Sequence, residues 1–231
     1  MLPHSIKLVL FDTVGTTVKD CSQKPSAIVQ SMIDAFAENG IKVSARDIKE
    51  QRGKEKRHAI EDVLRVHVKP DTEQFETLTA KVYERFLTAM RSRVNDFTPM
   101  ENVTDVFRFL KKRGIYVGVG SGLPAEILDM IIGHLEWKKT HLVDYVQSAE
   151  TIGAGRPNPR MIHDMMAEFR VVDPRRVVKV GDTMVDIAEG KNARVWTVAV
   201  LSGTQSEDEL KSAKPDFVIA RVHDLPQLFS E

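Results

Sequence analysis

Ile6-Lys7-Leu8-Val9-Leu10-Phe11 runs directly into Asp12-Thr13-Val14-Gly15-Thr16-Thr17. The apolar run reads as a buried strand, because it is short and rich in large aliphatic residues. Asp12 stands at its tip, followed by a Gly turn and two hydroxyls. A carboxylate in that position can attack phosphorus. Far downstream, Val177-Val178-Lys179-Val180 runs into Gly181-Asp182-Thr183-Met184-Val185-Asp186. That is a second apolar strand ending in carboxylates. Two such tips, side by side in a parallel sheet, would form a compact acidic pocket suited to a hard divalent cation.

Further short apolar runs lie at 115–119, 143–146, 195–200 and 216–219. Amphipathic segments separate them. Val103, Val106, Phe107 and Leu110 recur at helical spacing, with Gly114 after them as a helix end favours. Ile127, Met130 and Ile131 mark a helix after Pro124, and Met161, Met165 and Phe169 mark another after Pro159. The Met and Phe stripes read as core faces. This strand–helix alternation predicts an α/β fold, a Rossmann-like doubly wound parallel sheet covered on both faces.

The stretch from about Ser22 to Phe97 breaks the rhythm. Ile28, Met32, Ile33 and Phe36 mark one helix, ended near Asn39-Gly40, and Ser44 with Asp47 resembles an N-terminal cap for the next. Ala59, Val63 and Val66 mark a third, broken by Pro70. Phe75, Leu78, Val82, Phe86 and Leu87 mark a fourth. No convincing strand is visible here. The expected organisation is therefore a sheet domain from residues 1–20 and 98–231, interrupted by an all-helical insert over 21–97. The joints fall near 18–22 and 95–100.

The chain has 231 residues, which suits one domain plus a smaller insertion. It is 42% hydrophobic and 29% charged, as a globular protein is, and its 33 basic and 33 acidic residues cancel. That balance gives no global reason to bind nucleic acid or an anionic membrane. The one cysteine, Cys21, cannot form an intrachain disulfide, which fits a reducing compartment. No signal-peptide layout and no bilayer-length apolar stretch is present, so a cytoplasmic location is expected.

Ligands bind outside the carboxyl ends of parallel strands. Besides Asp12, Asp182 and Asp186, two other elements end there. Ser121, between Gly120 and Gly122, follows a strand, and its hydroxyl and nearby N–H groups suit a phosphoryl oxygen. Arg156, in Gly155-Arg156-Pro157, offers a cation for developing phosphoryl charge. Taken singly, Asp-x-x-Gly-Thr also reads as a turn, Gly-Asp-x-x-x-Asp as a capped helix start, Ser121 as a loop hydroxyl and Arg156 as a surface cation. Their order and strand-end context make phosphoryl transfer the joint reading.

With these motifs the chain resembles the haloacid dehalogenase superfamily. The resemblance implies that Asp12 is transiently phosphorylated, that Mg²⁺ bridges it to the phosphate, and that a helical cap closes the site. The implied metal positions are Asp12, Val14, Asp182 and Asp186. Thr16, Gly53 and Gly122 fall at substrate-binding positions.

Val14 narrows the reaction. Most phosphatases of the superfamily carry a second Asp two residues after the nucleophile, to protonate the leaving alkoxide. Val14 cannot transfer a proton, and losing that acid costs roughly 10²–10⁴-fold. The phosphonoacetaldehyde hydrolases, or phosphonatases, have a small apolar residue there. They cleave a carbon–phosphorus bond after a cap lysine forms a Schiff base with the substrate aldehyde, which then accepts the electrons as an enamine. Their cap pattern, Gly-x-x-Lys with a His shortly after, is similar to Gly53-Lys54-Glu55-Lys56-Arg57-His58. The spacing selects Lys56, with Lys54 the fallback, and makes His58 a proton relay; a solvated helix face and a structural His are the alternatives. Arg52, Lys54 and Arg57 would favour the neutral amine. Gly155-Arg156-Pro157 resembles the same branch. Val14 is bulkier than the usual Ala, Arg52 replaces a usual Met, Leu123 stands where many members carry an aromatic, and His58 is displaced by one residue.

The expected activity is Mg²⁺-dependent cleavage of phosphonoacetaldehyde or a related phosphonate. The rivals are a phosphate monoesterase using Asp12 and Mg²⁺ without an imine, and a phosphate-binding relative that has lost catalysis. The expected partner is a small phosphonate or phosphate, with a homodimer through the cap by analogy to similar enzymes.

Overall fold

The computed structural model describes residues 1–20, 25–69, 73–203 and 205–229. Cys21, the remainder of the first joint up to Lys24, and Pro70 lie outside them. The opening apolar run becomes β1 (Leu8–Asp12), every residue of it buried. A turn leads into β2 (Val18–Asp20), and four helices follow: α1 (Ala27–Glu38), α2 (Ala45–Lys49), α3 (Lys56–His67) and α4 (Glu73–Arg91). The chain returns through β3 (Phe97–Pro99) and then alternates through α5 (Val103–Lys112), β4 (Tyr116–Ser121), α6 (Ala125–His134), β5 (Tyr145–Ser148), α7 (Ala149–Ile152), α8 (Arg160–Glu168), β6 (Val177–Gly181), α9 (Met184–Asn192), β7 (Trp196–Val200), α10 (Glu207–Ser212) and β8 (Phe217–Ile219).

The six strands β5-β4-β1-β6-β7-β8 form one parallel sheet in that order. β1 is central, and a strand covered on both faces reads as a continuous apolar run rather than an alternating one. Val9 and Phe11 pack with α5 and α6, whereas Leu8 and Leu10 pack with α8. Phe107 wedges edge-on against Phe11 at 5.3 Å and against Trp137 at 5.1 Å, which anchors the residue just before Asp12. Phe11 pairs with Val119, and Asp12 with Gly120. That register sets the ends of β1, β4 and β6 level, so Asp12, Ser121 and Asp182 leave the sheet at one edge.

In the insert, α1 and α3 pack on α4 around Met32, Phe36, Ile60, Phe75 and Phe86. The Ser44–Asp47 capping box opens α2, and Asn39-Gly40 closes α1 with Gly40 at φ +75°. Two apolar residues sit on the wrong face for the stripes they suggested. Val66 is 82% exposed and Met130 is 39% exposed. The buried face of α3 runs through Ala59, Ile60, Val63 and Leu64, and that of α6 through Ile127, Leu128, Ile131 and Ile132. Met161 and Met165 are core, as their spacing predicts.

The two joints contain strands that the sequence does not announce. β2 and β3 pair antiparallel, Val18 with Pro99 and Asp20 with Phe97. Three residues each, one strand ending in Pro, are too few to show a period of two. No described helix is long and apolar enough to cross a membrane.

Candidate active site

The turn after β1 is fixed by its own backbone. Thr17 and Val18 donate to the Thr13 carbonyl, and Gly15 donates to that of Val18. Gly15 takes φ +99°, and a Cβ there would lie 2.3 Å from an oxygen of Asp182. Only glycine allows both the turn and the close approach. Thr16, placed by the sequence at the substrate, instead donates its buried hydroxyl to Asp182 at 2.8 Å and does not line the cavity. Thr17 donates back to the Asp12 carbonyl at 2.9 Å.

Asp12, Asp182 and Asp186 converge. All three are buried, and one oxygen from each lies within 4.8 Å of the others. Asp186 is fixed by the capping box that opens α9, with Thr183 Oγ1 donating to it at 2.5 Å. Burial raises the Asp182 carboxyl well above its usual range, and the charges of Asp12 and Asp186 add to this. Burial also raises Asp12, against the Arg156 charge that lowers it. Burial would raise Asp186 as well, but Arg156 and Lys179 outweigh it and hold this carboxyl low. Three close carboxylates with hard oxygen donors fit a small divalent cation, which would relieve the repulsion. Val14 has no side-chain ligand atom. It lines the cavity beside Asp12, where its carbonyl is the group it has to offer a metal.

Arg156 is buried between the carboxylates. Its Nη1 donates to Asp12 at 2.6 Å and also to Asp186. These neighbours raise its proton affinity despite burial, and its Nε has no partner. Arg156 lines the cavity next to Asp12, and a cation beside a nucleophile suits an incoming oxyanion. Ser121 is buried opposite, accepting from the Leu123 N–H at 3.2 Å, with its own proton available to a ligand.

The insert supplies the roof. Lys56 begins α3 and is 7% exposed, and its Nζ donates to the Lys54 carbonyl at 2.9 Å. Its pKa is lowered to about 8, first by burial and then by the Arg156 charge, with Arg52 adding to the effect. The expectation that Lys54 and Arg57 help is corrected. Lys54 pairs with Asp62, and Arg57 with Glu61 and Glu76, so their charges are used elsewhere. That pairing also takes Lys54 Nζ away from the cavity. His58 is not brought in either. Its side chain is 61% exposed and its Nδ1 sits 2.9 Å from Glu55, the residue that caps α3. Gly53, at φ +76°, and Gly122 both line the cavity. A Cβ on Gly122 would lie 2.4 Å from the Lys54 carbonyl oxygen, so the insert rests directly on the Ser121 loop. Tyr83 of α4 donates to Glu150 of α7, a second tie between insert and sheet domain.

Together these residues enclose a cavity of about 220 Å³, with Asp12, Ser121, Arg156 and Asp182 on the sheet side. Arg52, Gly53 and Lys56 close it from the insert, beside an apolar wall of Ile28, Val29, Met32 and Ile48. Two buried groups escaped the sequence reading. Lys179 Nζ lies 3.1 Å from Asp186 and 2.9 Å from Glu189, the latter an ion pair without hydrogen-bond alignment. The signal was a lysine inside the apolar run 177–180, since a fully buried lysine needs an acidic partner. Glu189 follows Asp186 by three, on the same helix face.

Comparison with known proteins agrees. The profile of the haloacid dehalogenase-like hydrolases matches residues 6–194. The phosphonoacetaldehyde hydrolase of Parabacteroides distasonis is 30% identical over 220 residues, covering 88% of this chain and 81% of that protein. The protein of the same name from Bordetella pertussis is 27% identical over 262 aligned positions, covering 100% and 93%. Among solved structures, a phosphonoacetaldehyde hydrolase-like protein from Oleispira antarctica superposes with TM-score 0.80 at 24% identity, over 97% of this chain and 91% of that one. A hydrolase from Pseudomonas syringae superposes with TM-score 0.81 at 15% identity, over 97% and 100%. At those identities the structures show the shared fold. The family match and the curated relatives carry more: the chain belongs to the haloacid dehalogenase-like hydrolases, in the phosphonatase-like branch.

Proposed function

We propose that this hydrolase cleaves the carbon–phosphorus bond of phosphonoacetaldehyde or a related phosphonate, with Asp12 as nucleophile and Lys56 as the Schiff-base amine. The insert, residues 21–97, acts as the cap. The observation that carries the reading is Lys56: a buried amine, lowered to about 8, in the same cavity as Asp12. A lysine poised near neutrality is what attack on a carbonyl requires. Val14 supports it from the other side, because the position two residues after Asp12 carries no carboxylate to protonate an alkoxide.

The neutral Lys56 amine adds to the aldehyde carbon and, with uptake of a proton and loss of water, gives a protonated imine. Asp12 attacks phosphorus in line. The carbon–phosphorus electrons pass into the imine as an enamine, which takes a proton at carbon and is hydrolysed to acetaldehyde. Water cleaves the aspartyl phosphate. Arg156 and Ser121 line the cavity beside Asp12, where the guanidinium and the hydroxyl would hold phosphoryl oxygens. Asp12, Asp182 and the Val14 carbonyl, with Asp186 completing the acidic cluster, would hold Mg²⁺, which would neutralise charge at the phosphoryl group. Asp186 orients Arg156.

Borohydride reduction with phosphonoacetaldehyde tests the reading. The expected result is a mass adduct on Lys56 together with acetaldehyde release in its absence. No adduct and no acetaldehyde would reject it.

A further inference from the structure

Arg52 is the cation in the cavity that the mechanism leaves without a task. It lines the wall shared with Lys56, and its charge reaches Lys56, Asp182 and Asp20. Yet its guanidinium makes no hydrogen bond or ion pair among the described residues. Three neighbouring cations are committed: Arg156 to Asp12 and Asp186, Lys54 to Asp62, Arg57 to Glu61 and Glu76. Asp20 is committed as well, accepting the Ala27 and Ile28 N–H groups that begin α1. Lys19 also lines the cavity but is exposed, where solvent screens it.

The backbone carrying Arg52 is well placed. Its N–H donates to the Lys49 carbonyl at 3.3 Å, and the next residue makes the φ +76° turn. A Cβ on that Gly53 would lie 3.0 Å from Thr183 Oγ1, so the turn bears on the start of α9. The guanidinium therefore enters the cavity from a braced loop, next to the apolar wall of Ile28, Val29, Met32 and Ile48. An anion in such surroundings needs a cation, and the planar fork of guanidinium donors suits a carboxylate.

We infer that Arg52 binds a second anionic group on the substrate, a carboxylate attached to the carbonyl carbon, so that the preferred substrate is a 3-phosphono-2-oxo acid rather than a simple aldehyde. The bond changes rest on the proposed function above. Lys56 forms the imine at the 2-oxo carbon, losing water. Asp12 takes the phosphoryl group as the C3–P bond breaks into the enamine. Protonation at C3 and hydrolysis release the 2-oxo acid, and water frees phosphate from Asp12.

The test is titration calorimetry of the Mg²⁺-loaded protein with 3-phosphonopropionate and with propylphosphonate, which differ by carboxylate against methyl at the same reach. The carboxylated ligand is expected to bind at least about tenfold more tightly. Arg52→Met should bring the ratio close to one, and Arg52→Lys should keep part of it, having the charge without the fork. Equal binding of the two ligands by the unaltered protein, or an equal loss of both in Arg52→Met, overturns the inference. If Arg52→Met does not fold, the preference of the unaltered protein and its reduction in Arg52→Lys decide. The readout needs no turnover. A preference that survives while borohydride traps nothing would retire the Schiff base and keep Arg52 as the carboxylate site.

Discussion

The sheet domain and the helical insert meet in one cavity but hold their charged groups differently. On the sheet side each charge is tied down. Arg156 is held by Asp12 and Asp186, Asp186 by Lys179 and Thr183, and Asp182 by Thr16. On the insert side, Lys56 has one backbone partner and Arg52 none among the described residues. A preorganised network suits chemistry whose charge pattern is fixed, as at phosphorus. Loosely held groups suit a part of the substrate that varies, the carbon skeleton. Under the proposed function, the difference would leave reaction type to the sheet and choice of substrate to the insert.

The sharpest way to break this division is to disable one side alone. Asp12→Asn should lower phosphate release by at least about 10³-fold. The borohydride adduct on Lys56 should still form, because the amine keeps its burial. Loss of the adduct as well would show that the two sides are not separable. Lys56→Ala makes the converse test. Release of phosphate from the carbonyl substrate should fall by a similar order, while phosphonate binding measured by calorimetry changes only a few-fold. Turnover of phosphate esters that survives this change would instead favour a monoesterase.

Next in size are effects on the scaffold. Phe107→Ala removes the ring between Phe11 and Trp137. About 3–5 kcal/mol of stability should be lost. At roughly 2–4 °C per kcal/mol for a chain of this size, thermal unfolding should shift by about 10 °C. A shift of only a degree or two would mean that Phe107 does not anchor β1.

The Lys56 pKa gives a pH signature with two signs. Only the neutral amine adds to a carbonyl, so kcat/KM should rise with pH through about 8 and then level. A flat profile from pH 6 to pH 9 would count against Lys56. Stability follows the same group. Its folded pKa lies below the unfolded one, so the burden of burying the charge is complete below about 8 and fades as pH rises towards 10.5. Lys56→Met should accordingly stabilise the fold at pH 7, by about 3 kcal/mol at most, and by less at pH 10. At the seam, Gly122→Ala puts a methyl group 2.4 Å from the Lys54 backbone oxygen, so the insert has to shift off the Ser121 loop, and KM should rise together with a measurable loss of thermal stability.

The sheet was legible because burial on both faces makes its strands continuous apolar runs. The run 115–119 marks β4 to within two residues at either end. The strand-tip residues followed, since parallel register brings the ends together. Local pattern failed where long-range packing decides. Val66 is apolar and within the helix, yet α3 turns another face inward. His58 follows Gly53 closely, one residue off the usual spacing, but Glu55 caps the helix and takes the ring outward. Thr16 reads as a ligand for substrate until Asp182 arrives from far along the chain. The Lys179–Glu189 pair needs a strand and the following helix to be placed against each other before it means anything.

The pairing of β2 with β3 has a consequence for how such proteins can be remade. Both crossings between the two parts run through this one antiparallel ribbon, with Asp20 beside Phe97. Paired residues in such a ribbon sit only about 4.5–5.5 Å apart. Whatever lies between them is spliced into the sheet domain at nearly a single point. Helical segments of other lengths can therefore be exchanged at this splice without moving the strand register, which makes new substrate preferences a matter of grafting rather than refolding.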